Sequence, residues 1–346
     1  MDIRVGTFNL NNLFSRFNLY TEADPQIRSD SEEATKEKPR PWLSSGPATP
    51  PTEGEELEIV SRGVIGPDGK LQWRRMFKGK LVRAKDPKAQ KTLAERIKAL
   101  DVDVLCVQEV ENLDALEDFV KFFRLNDEGF EHLSLVEGND KRLIDVGVIS
   151  KLPLGEVSSW RHRTHPDDPA ETVFSRDLLQ VEILEPKDRQ PVLTVYVNHL
   201  KSQLADDEEE VRKNDRRRQR QAESIASIIE ENPPGTPYLV VGDMNDTPDS
   251  PPLSALEEKA KLFDALAKAE ERGGPYPEGD PTPPPDRPWT HRYRGDGKTS
   301  YELYDQIWAS PDLRDKVGEA WILRRTLRGG NASDHDPAAV ELKGLS

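Results

Sequence analysis

The sequence predicts a layered α/β sandwich of mixed sheets. Three observations carry this: short β-branched apolar runs recur along the chain, amphipathic helical stretches interleave with them, and the alternation lacks the strict strand-helix-strand rhythm of a parallel sheet. In chain order, strands are expected at IRVGTF (3–8), DVLCV (103–107), VGVIS (146–150), LLQVEIL (178–184), VLTVYVN (192–198), YLVVG (238–242), YDQIWA (304–309) and AAVEL (338–342). Helical periodicity is clearest over 88–100, 112–124, 211–230 and 253–269.

Two stretches break the pattern. Residues 21–87 are polar, carry PRPWLSSGPATPPTEGEE and show no sustained periodicity before ELEIV, which reads as a long surface insertion. Residues 270–300 include PYPEGDPTPPPDRPW, where proline forbids helix and central strand, which reads as a loop. The motifs described below run from residue 9 to residue 335, so a single site that uses them all needs nearly the whole chain. One domain over 1–346 with these two insertions is therefore expected.

Composition excludes several classes of function. Hydrophobic residues make up 35% and charged residues 33%, enough apolar material for a core in a highly charged globular protein. No apolar run approaches the roughly 18 residues of a membrane span. The chain opens MDIRVGTFNL, with strand-like alternation at once, so a cytoplasmic protein is expected unless a leader has been removed. The single cysteine, Cys106, rules out an internal disulfide and, lying inside the apolar DVLCV, is expected in the core. A net charge of −15 opposes a protein that clamps nucleic acid by bulk phosphate neutralisation, yet acidity suits a site for hard divalent cations. High Lys, Glu and Arg content with few Cys and Met is compatible with a thermophilic source.

Polar residues recur where strands end. FNLNNLF places Asn9 there, VQEVEN Glu109, VNHLKS His199, GDMND Asp243 and Asn245, YDQIW Asp305, and SDHDP Asp334 and His335. Strand ends are where a rigid sheet delivers side chains into a shared cleft. Taken singly, each has a bland reading: Asn after a strand is turn chemistry, a terminal Glu is a solvated charge, and SDHDP can cap a helix. His132, His162, His165 and His291 have no partner motif and are assigned surface or local structural roles.

The combination is more specific. Six ordered blocks, TFNLNN, LCVQEVEN, DVGVISKLP, VNHLKS, VGDMND and SDHDP, with YDQIW before the last, resemble the endonuclease/exonuclease/phosphatase superfamily. The resemblance covers nearly the whole chain apart from the insertions. It implies a four-layered α/β sandwich in which two mixed sheets pack face to face between helices. It also implies hydrolysis of phosphate esters, with Mg²⁺ or Mn²⁺ held by the carboxylates of Glu109 and Asp334 and the amide oxygen of Asn9. Asp243 matches the position that orients or deprotonates the attacking water, and Asn245 would donate to the phosphate. His335 is expected to be held by Asp305, and His199 to contact phosphate with Asp145 orienting it.

Substrate selection is less sharply written. Arg142 and Arg176, which flank catalytic blocks, are the expected phosphate contacts, and Arg74 and Arg75 in WRRMFKGK could form a basic wall or pack within the insertion. RKNDRRRQRQ (212–221) reads first as a solvated helix face and second as a phosphate-binding stretch. Three functions stay open: a nuclease acting on DNA or RNA, a phosphodiesterase or phosphatase for a small or lipid phosphate, and a binding protein without catalysis. The nuclease is the leading reading, and the binding protein is disfavoured because every block keeps its reactive residue type. No protein partner is inferable, and a monomer is expected. A Ser-His-Asp hydrolase is disfavoured by the lack of a GxSxG elbow, and zinc by the lack of a Cys/His cluster at ligand spacing.

Overall fold

Alternation along the strands decides which side chains meet. The structure is a computed structural model describing residues 1–15, 17–19, 56–60, 64–65, 71–72, 75–81, 84–273, 284–295, 298–325 and 332–345. Strands of the two large sheets are β1 (Ile3–Leu13), β2 (Val104–Val110), β3 (His132–Leu135), β4 (Asp145–Ser150), β5 (Leu154–Ser159), β6 (Leu179–Leu184), β7 (Pro191–His199), β8 (Tyr238–Asp243), β9 (Phe263–Asp264), β10 (Glu270–Arg272), β11 (Asp305–Ala309), β12 (Val317–Leu323) and β13 (Ala338–Leu342). Among the described residues, helices are α1 (Pro87–Leu100), α2 (Leu113–Phe122), α3 (Glu208–Glu231) and the short α4 (Ser254–Glu258).

The first sheet runs β10-β12-β13-β1-β2-β4-β3 and the second β5-β6-β7-β8-β11-β9. Each is mixed: β1 runs parallel to β2 and β7 parallel to β8, while β4, β11 and β13 run against their neighbours. One set of alternate residues, including Val5, Val104, Cys106 and Val148 from the first sheet and Val181, Val195, Val241 and Ile307 from the second, forms one buried cluster between the sheets. The opposite set of the first sheet, with Leu105 and Val107, meets Leu93 and Ile97 of α1 and Leu116 and Phe119 of α2. On the second sheet Tyr196, Val240 and Trp308 meet Ala222, Ile225 and Ile229 of α3. The order is helix, sheet, sheet, helix, the four-layered sandwich expected. Cys106 lies in the inter-sheet core, where burial pushes its thiol well above the usual range.

Most elements start where the sequence places them. Asn112 caps α2, its side chain accepting from Ala115 N at 2.8 Å, and Asp207 caps α3 ahead of three glutamates that suit the helix N-terminus. The helix expected over 253–269 is an exception, because only Ser254–Glu258 is helical. Lys261 adopts a left-handed φ of 61°, Asp264 Oδ1 accepts from Leu266 N at 2.8 Å, and β9 pairs with β11. The apolar spacing is met by burying Leu256, Leu262 and Leu266 around turns. The proline-rich 270–300 stretch is not wholly loop either: His291–Gly295 and Lys298–Glu302 form an antiparallel hairpin, and residues 274–283 lie outside the described residues.

Met1–Leu13 with Ala89–Ser346 form one compact unit and Phe14–Lys88 another. The expected insertion falls mainly in the second, much of it outside the described residues. Its described part holds a three-stranded antiparallel sheet with Arg75–Leu81 between Phe17–Leu19 and Glu56–Val60. Arg75 opens that central strand, while Arg74 lies outside the described residues. Among the described residues no helix is long and apolar enough to cross a membrane.

The basic run of α3 is used in a way neither sequence reading anticipated. Arg218 is buried, its Nε donating to Asp246 Oδ2 at 2.9 Å and Nη1 to Lys201 O at 3.0 Å, with Asp215 on Nη2. It ties the helix to the loop after β8. Arg218→Ala leaves Asp246 buried without its counter-charge, so we expect a loss of roughly 3–5 kcal/mol in urea denaturation, against near-neutrality for the exposed Arg216→Ala.

Candidate active site

All the strand-end motifs meet at one edge of the sandwich, because parallel strands bring their C-terminal ends there and antiparallel strands their N-terminal ends. Asn9 and Glu109 come from β1 and β2 of the first sheet. His199 and Asp243 are directly paired across β7 and β8, and Asp243 is paired in turn with Asp305 of β11. Gly242 makes this approach possible. Its φ is 145°, and a Cβ there would lie 2.0 Å from Asn198 O, so no other residue fits between β7 and β8 without displacing the backbone.

On the first sheet the ladder is broken deliberately. The β1–β2 register shifts between Asn9 and Leu13, and the β2–β4 register between Gln108 and Val110. Asn11, Asn12 and Glu109 have φ values of 47°, 59° and 61°, a left-handed conformation that asparagine tolerates better than most residues. The bulges re-aim side chains into a hydrogen-bonded chain. Asn11 N donates to Asn9 Oδ1 (2.9 Å), Asn11 Nδ2 to Asp334 Oδ1 (2.7 Å) and Asn12 N to Glu109 Oε2 (2.9 Å). Asn9 Nδ2 donates to Asp243 Oδ2 at 2.9 Å, joining this chain to the second sheet.

His335 reaches over from the loop before β13. Its Nδ1 is 2.6 Å from Asp305 Oδ2, so the ring donates there, while Nε2 faces Asp243 Oδ2 at 3.9 Å. On the other side of Asp243, His199 Nε2 is 3.6 Å from the same Oδ2. Burial favours a neutral His335, but Asp305, Asp243 and Asp334 outweigh it and raise the imidazole to about 10. Burial acts unopposed on His199, and Arg176 and His335 add to it, so its pKa falls well below 6.5. One buried carboxylate thus stands between a charged and a neutral imidazole. Burial and the charge of Asp305 raise the pKa of Asp243 itself, against the pull of His335, Asn9 and Asn245.

The loop that carries His335 is pinned through Asp336. That buried carboxylate takes Arg96 Nη2 at 2.6 Å, Arg325 Nε at 2.9 Å and Arg324 Nη1 at 3.3 Å. Arg96 also donates to His335 O at 3.1 Å and Arg325 to Asp334 O at 2.7 Å. Arg324 lies 3.7 Å above the Trp289 ring.

Several expected roles are corrected by the geometry. Asp145 is not the orienting partner of His199: its Oδ1 accepts from Gly138 N at 2.8 Å, and His199 Nδ1 is buried with no hydrogen-bond partner. Arg176, an expected phosphate contact, lies in the interior. It is 2% exposed, with Nη1 on Leu200 O at 3.1 Å and Nε 3.0 Å from Asp140 Oδ2, which makes it an internal strut. Arg142 is exposed and lies 3.2 Å from the same Asp140. Asn245, expected to donate to the phosphate, is left-handed with φ 51°, its N donating to Asp243 Oδ1 and its Nδ2 to Leu200 O.

Sequence reasoning missed His291, Asp336 and the two asparagines after Asn9. His291 stacks on Tyr304, centroids 5.0 Å apart, approaches the His335 ring at 4.7 Å, and places Nε2 3.7 Å from Asp334 Oδ2. Asp336 and the asparagines were visible inside the quoted motifs SDHDP and FNLNN. His291 had no such flag, because the hairpin that delivers it was read as a proline-rich loop.

The sequence profile described as the endonuclease/exonuclease/phosphatase family matches residues 76–335. The chain belongs to that family. Its members are hydrolases acting on phosphoester bonds and generally depend on divalent metals. No curated protein matches in sequence. Among solved structures, an endonuclease/exonuclease/phosphatase from Bacteroides vulgatus is similar at 14% identity, covering 100% of both chains with a TM-score of 0.56. A family protein from Bacteroides thetaiotaomicron aligns at 14% identity over 99% of this chain and 97% of its own, TM-score 0.55. A mannosyl-6-phosphatase from Bacteroides thetaiotaomicron VPI-5482 aligns at 14% identity over 99% of each chain, TM-score 0.53. At such identities the likeness shows the shared fold.

The raised pKa of His335 gives a pH dependence with a definite sign. A basic group whose pKa rises on folding stabilises fully below its unfolded value, near 6.5, and that stabilisation is lost as pH rises through about 10. In Asp305→Asn the imidazole should titrate well below the wild-type value by NMR. The stability advantage of wild type over Asp305→Asn should be present below pH 6.5 and shrink above about 10 in denaturation experiments.

Proposed function

We propose that this chain is a divalent-metal-dependent phosphodiester hydrolase acting on nucleic acid. The observation that carries hydrolysis is the buried Asp243 between protonated His335 and neutral His199, with Asp305 fixing the His335 ring. A raised carboxylate pKa makes Asp243 a better proton acceptor than an ordinary aspartate, which suits it to orient and deprotonate an attacking water. His335, positive and desolvated, attracts a phosphate oxygen and favours the charge that builds in the transition state. His199, neutral, can donate or accept one hydrogen bond at that oxygen without adding charge.

The donor set fits a hard cation. Glu109 and Asp334 would hold Mg²⁺ or Mn²⁺ with the Asn9 amide oxygen, all three offering oxygen only, each held by a hydrogen bond from the Asn11–Asn12 turn. Asn9 Oδ1 accepts one such bond and keeps a second lone pair. Bound there, the ion would supply neutralisation of the phosphate charge.

For substrate class, the exposed Arg142 supports a polynucleotide, since an acidic chain must hold an anionic polymer by close contacts. One observation favours a small or lipid phosphate instead: Arg176, the other expected polymer contact, is internal. Purified protein should nick plasmid DNA in Mg²⁺ or Mn²⁺ and lose that activity in chelator. Cleavage of bis(p-nitrophenyl) phosphate or a lipid diester with DNA and RNA untouched would reject the polynucleotide.

Asp243→Asn and His335→Ala should each lower kcat by about 100-fold or more on any accepted diester, the scale for removing one positioned group. Arg142→Ala should weaken polynucleotide binding and reduce the slope of log affinity against log salt by about one unit, with cleavage of the minimal diester unchanged.

A further inference from the structure

We propose that His291, Asp334 and His335 form a second cation subsite, one that takes a borderline transition-metal ion such as Zn²⁺ through two imidazole nitrogens and one carboxylate. Their ligand atoms all lie within 4.8 Å of one another. His291 Nε2 is 3.7 Å from Asp334 Oδ2, and His335 Nε2 is 3.9 Å from Asp334 Oδ1. Tetrahedral zinc with bonds of about 2.0–2.1 Å separates its ligands by roughly 3.4 Å, so the two contacts to Asp334 need to close by about half an ångström and no pair of ligand atoms by more than about 1.4 Å.

Both rings are already oriented as ligands. Zinc-binding imidazoles ordinarily donate their other ring N–H to a carboxylate, and His335 Nδ1 does so to Asp305 at 2.6 Å. His291 is held flat against Tyr304 with 15° between the planes. A two-histidine, one-carboxylate set with an open position is a zinc-type environment, in contrast to the all-oxygen set around Glu109 and Asn9, and imidazole prefers zinc-class ions over magnesium. The other cluster at this edge, Asp243 with Asp305 and His335, is already closed by the His335–Asp305 hydrogen bond and is no competing candidate.

The site shares Asp334 with the proposed oxygen-donor ion and uses the His335 nitrogen that faces phosphate in the proposed mechanism, so zinc would bind there by displacing the Nε2 proton to solvent. That consequence rests on the functional reading; the zinc site itself rests on geometry alone. The test is therefore made without substrate. The full chain, stripped with chelator and returned to excess Mg²⁺, is titrated with Zn²⁺ by calorimetry and equilibrium dialysis. X-ray absorption then counts the imidazoles on the bound zinc in wild type. We expect one zinc per chain with two imidazole ligands, and at least tenfold weaker binding in His291→Ala and His291→Gln, with His132→Ala unaffected. Absence of zinc binding in excess Mg²⁺, fewer than two imidazoles on the wild-type zinc, or wild-type affinity in a folded His291 variant would overturn the proposal. Failure of every phosphoester assay would remove the functional reading and leave this result standing.

Discussion

The placement of His335 is the constraint on which the rest of the active edge depends. Its loop belongs to the first sheet and its ring partner to the second, so the imidazole spans the sandwich, and any slip of one sheet on the other would separate it from Asp305. Two opposed charge arrangements prevent that. Asp305 holds the ring at 2.6 Å from the second sheet, and Asp336, the residue directly after His335, is gathered in by Arg96, Arg324 and Arg325. Removing one member of such a buried set leaves an uncompensated charge, which is costlier than the set is stabilising. The arrangement therefore sets position more than it adds stability.

The same use of buried arginine recurs, and it explains where reading the sequence went astray. Arginines beside catalytic motifs look like substrate contacts because their charge is unassigned along the chain. In three dimensions Arg176 and Arg218 face inward, to Asp140 and Asp246, and each also donates to a backbone carbonyl within two residues of His199, Leu200 for one and Lys201 for the other. Guanidinium suits this role, since its fixed fork bridges a carboxylate and a carbonyl at once. A protein of net charge −15 thus uses some of its arginines to hold strand ends in place.

The layered fold was legible because near-continuous apolar runs in β1, β2, β7 and β8 mark strands buried on both faces, and because caps such as Asn112 and Asp207 are local. Strand-end residues were legible for the same reason: a residue at the end of a strong strand has few other places to go. What was hidden depended on pairings between distant segments. His291 arrives on a hairpin whose partner strand begins seven residues later at Lys298, after a stretch of prolines that signals loop. Asp145 stands near the expected place, yet a glycine N–H seven residues earlier takes its carboxylate. The failed helix over 253–269 shows the converse, where helical spacing of apolar residues was met by turns once Phe263–Asp264 found an edge to pair with.

Left-handed residues mark where this edge was built for chemistry rather than for regular structure. Asn11, Asn12, Glu109 and Asn245 all have φ between 47° and 61°, and all four lie within three residues of a proposed ligand or base, or are one. Such conformations cost about 1–3 kcal/mol each for residues with a side chain and persist only when the surroundings over-determine them. Here the over-determination is visible: each of the three asparagines donates its backbone N–H to a site side chain, Asn9, Glu109 or Asp243. The left-handed turns convert backbone amides into fixed donors that hold acceptor oxygens in place, as the proposed cation site requires. A carboxylate so held loses little freedom on binding an ion, and preorganisation of that kind lets a sparse set of protein ligands suffice. The motif is FNLNN rather than a lone asparagine in keeping with that reading: the first residue offers the proposed ligand oxygen, and the two that follow supply the donors that hold it, Asp334 and Glu109.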